Sequence, residues 1–193
     1  MSAGPTPTPA GATVEYRVTY LEMTARPGYD WPSMPADGSS ASLLRAETPP
    51  VWYFRALYDA VGRDHAWEDL NEESDADIAA FLADGDVALW SLIRAGWPQG
   101  FFILDAREPG ETRITLLGLV PEAIGQGYGR YLLRTAVLTA WERPGLQRLA
   151  VDTCSLDHPR ALAVYQQHGF EVVAQESRHR VLKRGLDPTR WRP

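Results

Sequence analysis

Three glycines alternate in Gly125-Gln126-Gly127-Tyr128-Gly129-Arg130, directly ahead of a segment with helical hydrophobic spacing. A turn of this kind lets the main chain approach an anion closely, and the helix that follows aims free N–H groups and a partial positive charge at it. The ligand it predicts is a phosphate or pyrophosphate. A P-loop needs Gly-Lys-Ser/Thr before its helix, and Gly129-Arg130-Tyr131 has neither the lysine nor the Ser/Thr hydroxyl. A dinucleotide turn fits the order strand, turn, helix, strand, with Asp152 ending the second strand as a ribose-binding carboxylate would. It fails in detail. A Gly-x-Gly-x-x-Gly pattern begun at Gly125 requires glycine where Arg130 stands, and too few strands follow for a doubly wound sheet.

Other reactive side chains are sparse. One cysteine, Cys154, and four scattered histidines give no zinc-ligand spacing, so no metal site is expected. The strand from Ile114 to Val120 carries no carboxylate. As a general base, Glu22, Asp105, Asp152 and His158 all remain open, acting directly or through water.

Residues 119–133, Leu-Val-Pro-Glu-Ala-Ile-Gly-Gln-Gly-Tyr-Gly-Arg-Tyr-Leu-Leu, resemble the acetyl-CoA motif of the GNAT superfamily of N-acetyltransferases, Arg/Gln-x-x-Gly-x-Gly/Ala. A second stretch, His158-Pro159-Arg160-Ala161-Leu162-Ala163-Val164-Tyr165-Gln166-Gln167-His168-Gly169-Phe170, resembles the family pattern Asn-x-x-Ala-x-x-x-Tyr-x-x-x-Gly-Phe. The resemblance covers residues 86–182 and implies a single α/β domain, a mixed central sheet flanked by helices, with acetyl-CoA at the fourth strand and the following helix. It implies that Gly125, Gln126, Gly127, Tyr128, Gly129 and Arg130 hold the pyrophosphate and that main-chain groups near Leu119 and Val120 hold the pantetheine arm and polarise the thioester. It implies further that His158 and Tyr165 contact the cofactor, Tyr165 protonating the departing thiolate. Ile124 stands where the family has Arg or Gln, and His158 where it has Asn; neither change removes the main-chain cradle. The implied reaction is acetyl transfer to a primary amine by direct attack in a ternary complex, which needs no cysteine nucleophile. A catalytically silent acyl-CoA-binding or interaction module is the alternative, and a dinucleotide-dependent oxidoreductase the third reading.

These groups need a scaffold, and the sequence predicts one. Residues 1–12 are small, uncharged and proline-rich, which predicts a disordered tail. Val14–Met23 alternates as a first strand, and residues 24–48, rich in Pro, Gly and Ser, read as a long loop. Pro49-Pro50 opens a helix whose Phe54, Leu57, Tyr58 and Val61 share a face, and Ser74 followed by Asp77 predicts a capped second helix with Ile78, Phe81 and Leu82 inward. Three antiparallel strands follow at Val87–Ile93, Phe101–Leu104 and Arg113–Val120. The paired apolar positions Leu132, Leu133, Ala136, Val137, Ala140 and Trp141 specify a long helix ended by Pro144-Gly145. A strand at Leu149–Thr153, a helix at Pro159–His168 and a closing hairpin or interrupted strand over 170–182 complete a domain spanning 13–183, with 184–193 as a C-terminal extension.

The 193 residues suffice for one sizeable core. A net charge of −6 and pI near 5.2 argue against nucleic acid as a partner. No apolar run reaches the ~18–20 residues of a membrane span and no signal peptide is evident, so no membrane association and a cytoplasmic location are expected. Charge is uneven: −10 over residues 22–86 against +4 over 87–193. By the resemblance these segments face acceptor and cofactor, which predicts a cationic small-molecule or peptide amine as acceptor. Trp31, Trp52 and Trp67 are candidates to wall its pocket. Oligomeric state is not legible.

Overall fold

The computed structural model describes residues 6–35 and 40–190. Its strands are β1 (Thr13–Met23), β2 (Ala41–Arg45), β3 (Val87–Arg94), β4 (Trp97–Asp105), β5 (Glu111–Leu119), β6 (Arg148–Cys154) and β7 (Glu171–Val181). Its helices are α1 (Val51–Gly62), α2 (Asp75–Ala83), α3 (Tyr128–Trp141) and α4 (Ala161–Gln167). The strands form one sheet in the order β2-β3-β4-β5-β6-β1-β7. All neighbours run antiparallel except β5 and β6, which are parallel because α3 carries the chain across between them.

The helices cover both faces. On one, Leu132, Leu133, Ala136 and Val137 of α3 and Tyr165 of α4 pack with Leu21, Phe102, Leu149 and Val151. On the other, Phe54, Leu57, Tyr58 and Val61 of α1 and Ile78 and Leu82 of α2 pack with Leu89, Phe101 and Ile103. The predicted Ser74 cap is present: its Oγ accepts from the Asp77 amide at 3.1 Å and donates to the Asp77 carboxylate at 2.6 Å. No described helix is long and apolar enough to cross a membrane.

Three expectations meet the structure in different ways. First, the stretch read as a loop from 24 to 48 contains β2, a short edge strand paired with β3. Its mostly exposed residues give no period-2 apolar signal, which hid it. Second, of the two forms left open for 170–182 the structure has the interrupted single strand, with a bulge opposite Tyr20 and Leu21, and β1 lies between it and β6. Third, in the 1–12 stretch read as disordered, residues 1–5 lie outside the described residues, whereas Thr8 and Leu186 exchange main-chain hydrogen bonds of 2.9 and 2.8 Å and Gly11 donates to Leu182 at 2.7 Å. Leu182 and Leu186 are buried in one cluster, so the packing shows no break at 183.

Candidate active site

Strands β5 and β6 are paired only from Glu111 opposite Arg148 to Ile114 opposite Val151. Beyond that point β5 continues to Leu119 and β6 to Cys154 without pairing to each other, and the pair opens as a wedge. Residues 115–119 are accordingly half-buried or exposed, whereas Phe101–Leu104 on neighbouring β4 are buried. The Val120 amide is taken by the Gln99 carbonyl at 2.9 Å. Because strand amides alternate in direction, those of Leu117 and Leu119 face the open side. Of the two main-chain positions expected to polarise a thioester, Leu119 can do so and Val120 cannot.

The glycine turn adjoins the open end of β5. Gly125 and Gly127 have φ of +86° and +87°, a region that strains any residue with a Cβ, and Gly127 is the N-cap of α3. No side chain caps that N-terminus and no acidic residue stands in its first turn. The amides of Tyr128, Gly129 and Arg130, which a helix leaves without internal partners, therefore remain for an anion. Among the described residues space is kept for it: none lies within 4 Å of a Cβ built at Gly125, and at Gly127 only the Pro35 ring does, from 3.7 Å. A Cβ at Gly129 would stand 3.7 Å from Leu119, which shows how closely the helix start sits over the strand end.

Side chains in the turn behave less as expected. Tyr128 is fully buried in the core with the Arg94 guanidinium 5.7 Å from its ring centroid, so it offers a ligand its amide and not its ring. Gln126 turns back to donate to the Glu122 carbonyl at 2.7 Å. Arg130 is exposed on the first turn of α3, and Ile124 is 40% exposed beside the cradle.

Tyr165 is buried on α4, edge-on to Phe170 at 5.8 Å, and its hydroxyl has no hydrogen-bond partner among the described residues. Burial, reinforced by the charges of Asp157 and Asp152, raises its pKa and keeps it a protonated donor. His158 precedes α4. Its Nδ1 accepts from the Arg160 amide at 3.2 Å, and burial together with Arg160 lowers its pKa, which favours a neutral imidazole at pH 7. With Thr153, Asp157 and Leu162 it lines a cleft of about 520 Å³ that runs past Tyr16, Arg17 and Gln175 of β1 and β7, on the side of β6 away from β5.

The carboxylate candidates separate by position. Asp152 directly follows the last paired residue of β6, bonds to Arg113 at 3.1 Å, and has its pKa raised chiefly by burial although its side chain keeps 47% of its surface. Glu22 lies toward the closed end, bonded at 2.9 Å to Arg148, which also holds Glu111. Asp105 is opposite Arg113 while Gly100 is opposite Leu119, so it lies at the far end of β4, held by Arg107 at 2.7 Å with its pKa lowered by that bond. The structure does not bring Glu22 or Asp105 to the wedge. Burial and the charge of Asp157 push the Cys154 thiol up to about 12, which leaves almost no thiolate at neutral pH.

Asp157 was not legible as a site residue. It accepts from the Trp67 indole at 3.1 Å, from the Thr153 hydroxyl at 2.8 Å and from the Cys154 amide at 2.8 Å. Its only sequence signal is its place one residue before the His158 motif. Of the three tryptophans considered for a pocket wall, only Trp67 reaches the wedge; Trp31 and Trp52 are 51% and 71% exposed.

The model of the acetyltransferase (GNAT) family matches residues 46–170. The chain belongs to the GNAT acetyltransferase family. Over 73 residues, 37% of this chain, it is 45% identical to a mycothiol acetyltransferase of Jonesia denitrificans, of which the match covers 22%. Among solved structures it resembles a GCN5-related N-acetyltransferase from Sphaerobacter thermophilus, with TM-score 0.58 and 16% identity over 94% of this chain. A second, from Kribbella flavida, gives TM-score 0.56 and 22% identity over 89% of this chain. The likeness to these structures is one of fold. This GNAT domain spans 55% and 58% of their respective lengths.

Proposed function

We propose that this GNAT domain transfers acetyl from acetyl-CoA to a primary amine by direct attack. The observation that carries the reading is the wedge itself, with the open-side Leu119 amide beside an uncapped helix N-terminus set behind two positive-φ glycines. Main-chain amides of α3 would bind the pyrophosphate, and the Leu119 amide would donate to the thioester oxygen as negative charge develops there. The amine nitrogen bonds to the carbonyl carbon, the C–S bond breaks, and the thiolate takes the Tyr165 phenolic proton. The proton lost by the amine goes to Asp152, whose raised pKa makes it a better base than an ordinary carboxylate, or to the neutral His158 through water.

The acceptor is read as cationic on narrower ground than the charge count alone offers. Much of the acidity of residues 22–86 is matched by the other half: Asp59 with Arg184, Asp69 with Arg180, Glu72 with Lys183, Asp86 with Arg143 and Glu22 with Arg148. What supports a positive acceptor is that Asp152 and Asp157 lie near each other beyond the paired part of β6, with Arg113 bonded to Asp152 and neutral donors on Asp157, so the two carboxylates keep a net negative charge there. A silent binding module is the second reading, favoured by Ile124 and by the lack of a carboxylate on β5 beyond Glu111. Release of free thiol from acetyl-CoA across a panel of amines separates the two. Turnover that falls with added salt supports the cationic acceptor; binding of acetyl-CoA with no turnover on any amine favours the silent module.

A further inference from the structure

The two faces of the wedge are unlike. Tyr128 of the glycine turn and Tyr165 pack on the α3 and α4 side and α1 on the other, so on the acetyl-CoA reading a thioester entering from the first side would point its acyl carbons toward α1. One side chain stands in that path. The Trp67 stem is seated where a Cβ on Gly62 would lie 2.4 Å away, and its distal ring carbon is 3.5 Å from where a Cβ on Gly118 would stand. The indole N–H reaches across to Asp157, beyond the end of β6. Thus the ring spans from β5 to the segment after β6, braced by Tyr58 and Phe101 at centroid distances of 5.6 and 6.4 Å. Val61 presses on the same strand, 2.4 Å from the Gly118 Cβ position, so neither side leaves the indole room to swing.

From this geometry we infer that Trp67 is the residue that limits the acyl group to acetyl, with Asp157 as the positioning residue that fixes the indole. The inference rests on the acetyl-CoA reading above. A chain longer than two carbons meets the ring face; removing the ring opens the path through the wedge.

The test is equilibrium binding of acetyl-CoA and hexanoyl-CoA to the full chain and to Trp67→Ala, Trp67→Phe and Trp52→Ala. The ratio of hexanoyl-CoA to acetyl-CoA affinity should rise by at least about tenfold in Trp67→Ala, since single methylenes in a fitted pocket change discrimination by about that factor. It should rise less in Trp67→Phe, which keeps one ring and guards against a misfolded alanine variant, and stay unchanged in Trp52→Ala on the exposed face of α1. An unchanged ratio in both Trp67 variants, with acetyl-CoA still bound, overturns the inference and leaves the proposed function intact. Failure of the parent to bind either ester overturns both.

Discussion

The two ends of the β5–β6 pair are made from the same strands and do opposite things. At the closed end, four residue pairs hold the strands in register, and Arg148, Glu22, Glu111 and Arg113 satisfy one another's charges across the surface. At the open end the strands part, the Leu119 amide loses a strand partner, and Tyr165, Asp152, Asp157 and His158 gather where burial shifts the pKa of the tyrosine, Asp152 and the histidine. Charge density alone does not mark a site. The closed end is as rich in charged groups as the open one, yet its groups spend their interactions mostly on each other, Arg113 also reaching Asp152, whereas the open end leaves main-chain amides and the Tyr165 hydroxyl without partners among the described residues.

The sharpest way to break this contrast is at Gly127. Gly127→Val places a β-branched residue at φ +87° and covers the cradle. Strain of about 1–3 kcal/mol is expected in stability, together with a fall in acetyl-CoA affinity of about a hundredfold or more. Gly145→Val is the control, since Gly145 has φ +79° beyond the C-terminal end of α3. Calorimetry should show comparable destabilisation there with acetyl-CoA binding retained; equal losses of binding would mean the effect is strain alone.

Tyr165→Phe comes next. Its hydroxyl has no partner among the described residues, so the melting temperature should stay nearly constant while kcat falls by about 10²-fold in a chemistry-limited assay. An unaltered kcat removes the proton-donor role.

The open end should also carry a titration. Buried His65, 5.9 Å from the Trp67 ring, is held down to about 4 from an ordinary 6.5 chiefly by desolvation. The unfolded chain takes up this proton first, so stability is complete above about pH 6.5 and is lost as pH falls toward 4. Denaturant unfolding at pH 7 and pH 5 should differ by on the order of 1–2 kcal/mol in the parent and by less in His65→Gln. Equal pH dependence in the two proteins contradicts the assignment.

The smallest effect belongs to the closed end. Glu22→Gln removes one surface partner of Arg148, which keeps Glu111, and should cost less than about 1 kcal/mol with kcat/KM unchanged. A large loss of activity would return Glu22 to the list of bases and erase the division between the ends.

Much of this was readable from residue order. The paired apolar positions of α3, the Ser74 cap, the three antiparallel strands and the glycine turn are local signals, set within a few residues of each other, and each appears near where the spacing put it, β4 beginning at Trp97, four residues ahead of the expected Phe101. What was hidden depends on pairing between distant segments. The placement of β1 between β6 and β7, the Thr8–Leu186 bridge and the Trp67–Asp157 bond join residues far apart in the chain, and no periodicity encodes them. The candidate bases divided for the same reason: Glu22 and Asp105 are as acidic as Asp152 in sequence, and only strand register shows which of them lies at the wedge. Tyr128 sat in the right motif, but its ring serves the core and only its amide faces the turn.

The account stands most directly on where acetyl-CoA binds. Titration of the isotope-labelled protein with acetyl-CoA, followed by amide chemical shifts, reads both ends of the β5–β6 pair at once. The account predicts large shifts at Gly125, Gly127, Tyr128, Gly129 and Leu119, and none at Glu111, Arg148 or Asp105. Saturation that moves the closed-end amides while those of the glycine turn and Leu119 stay still would contradict it.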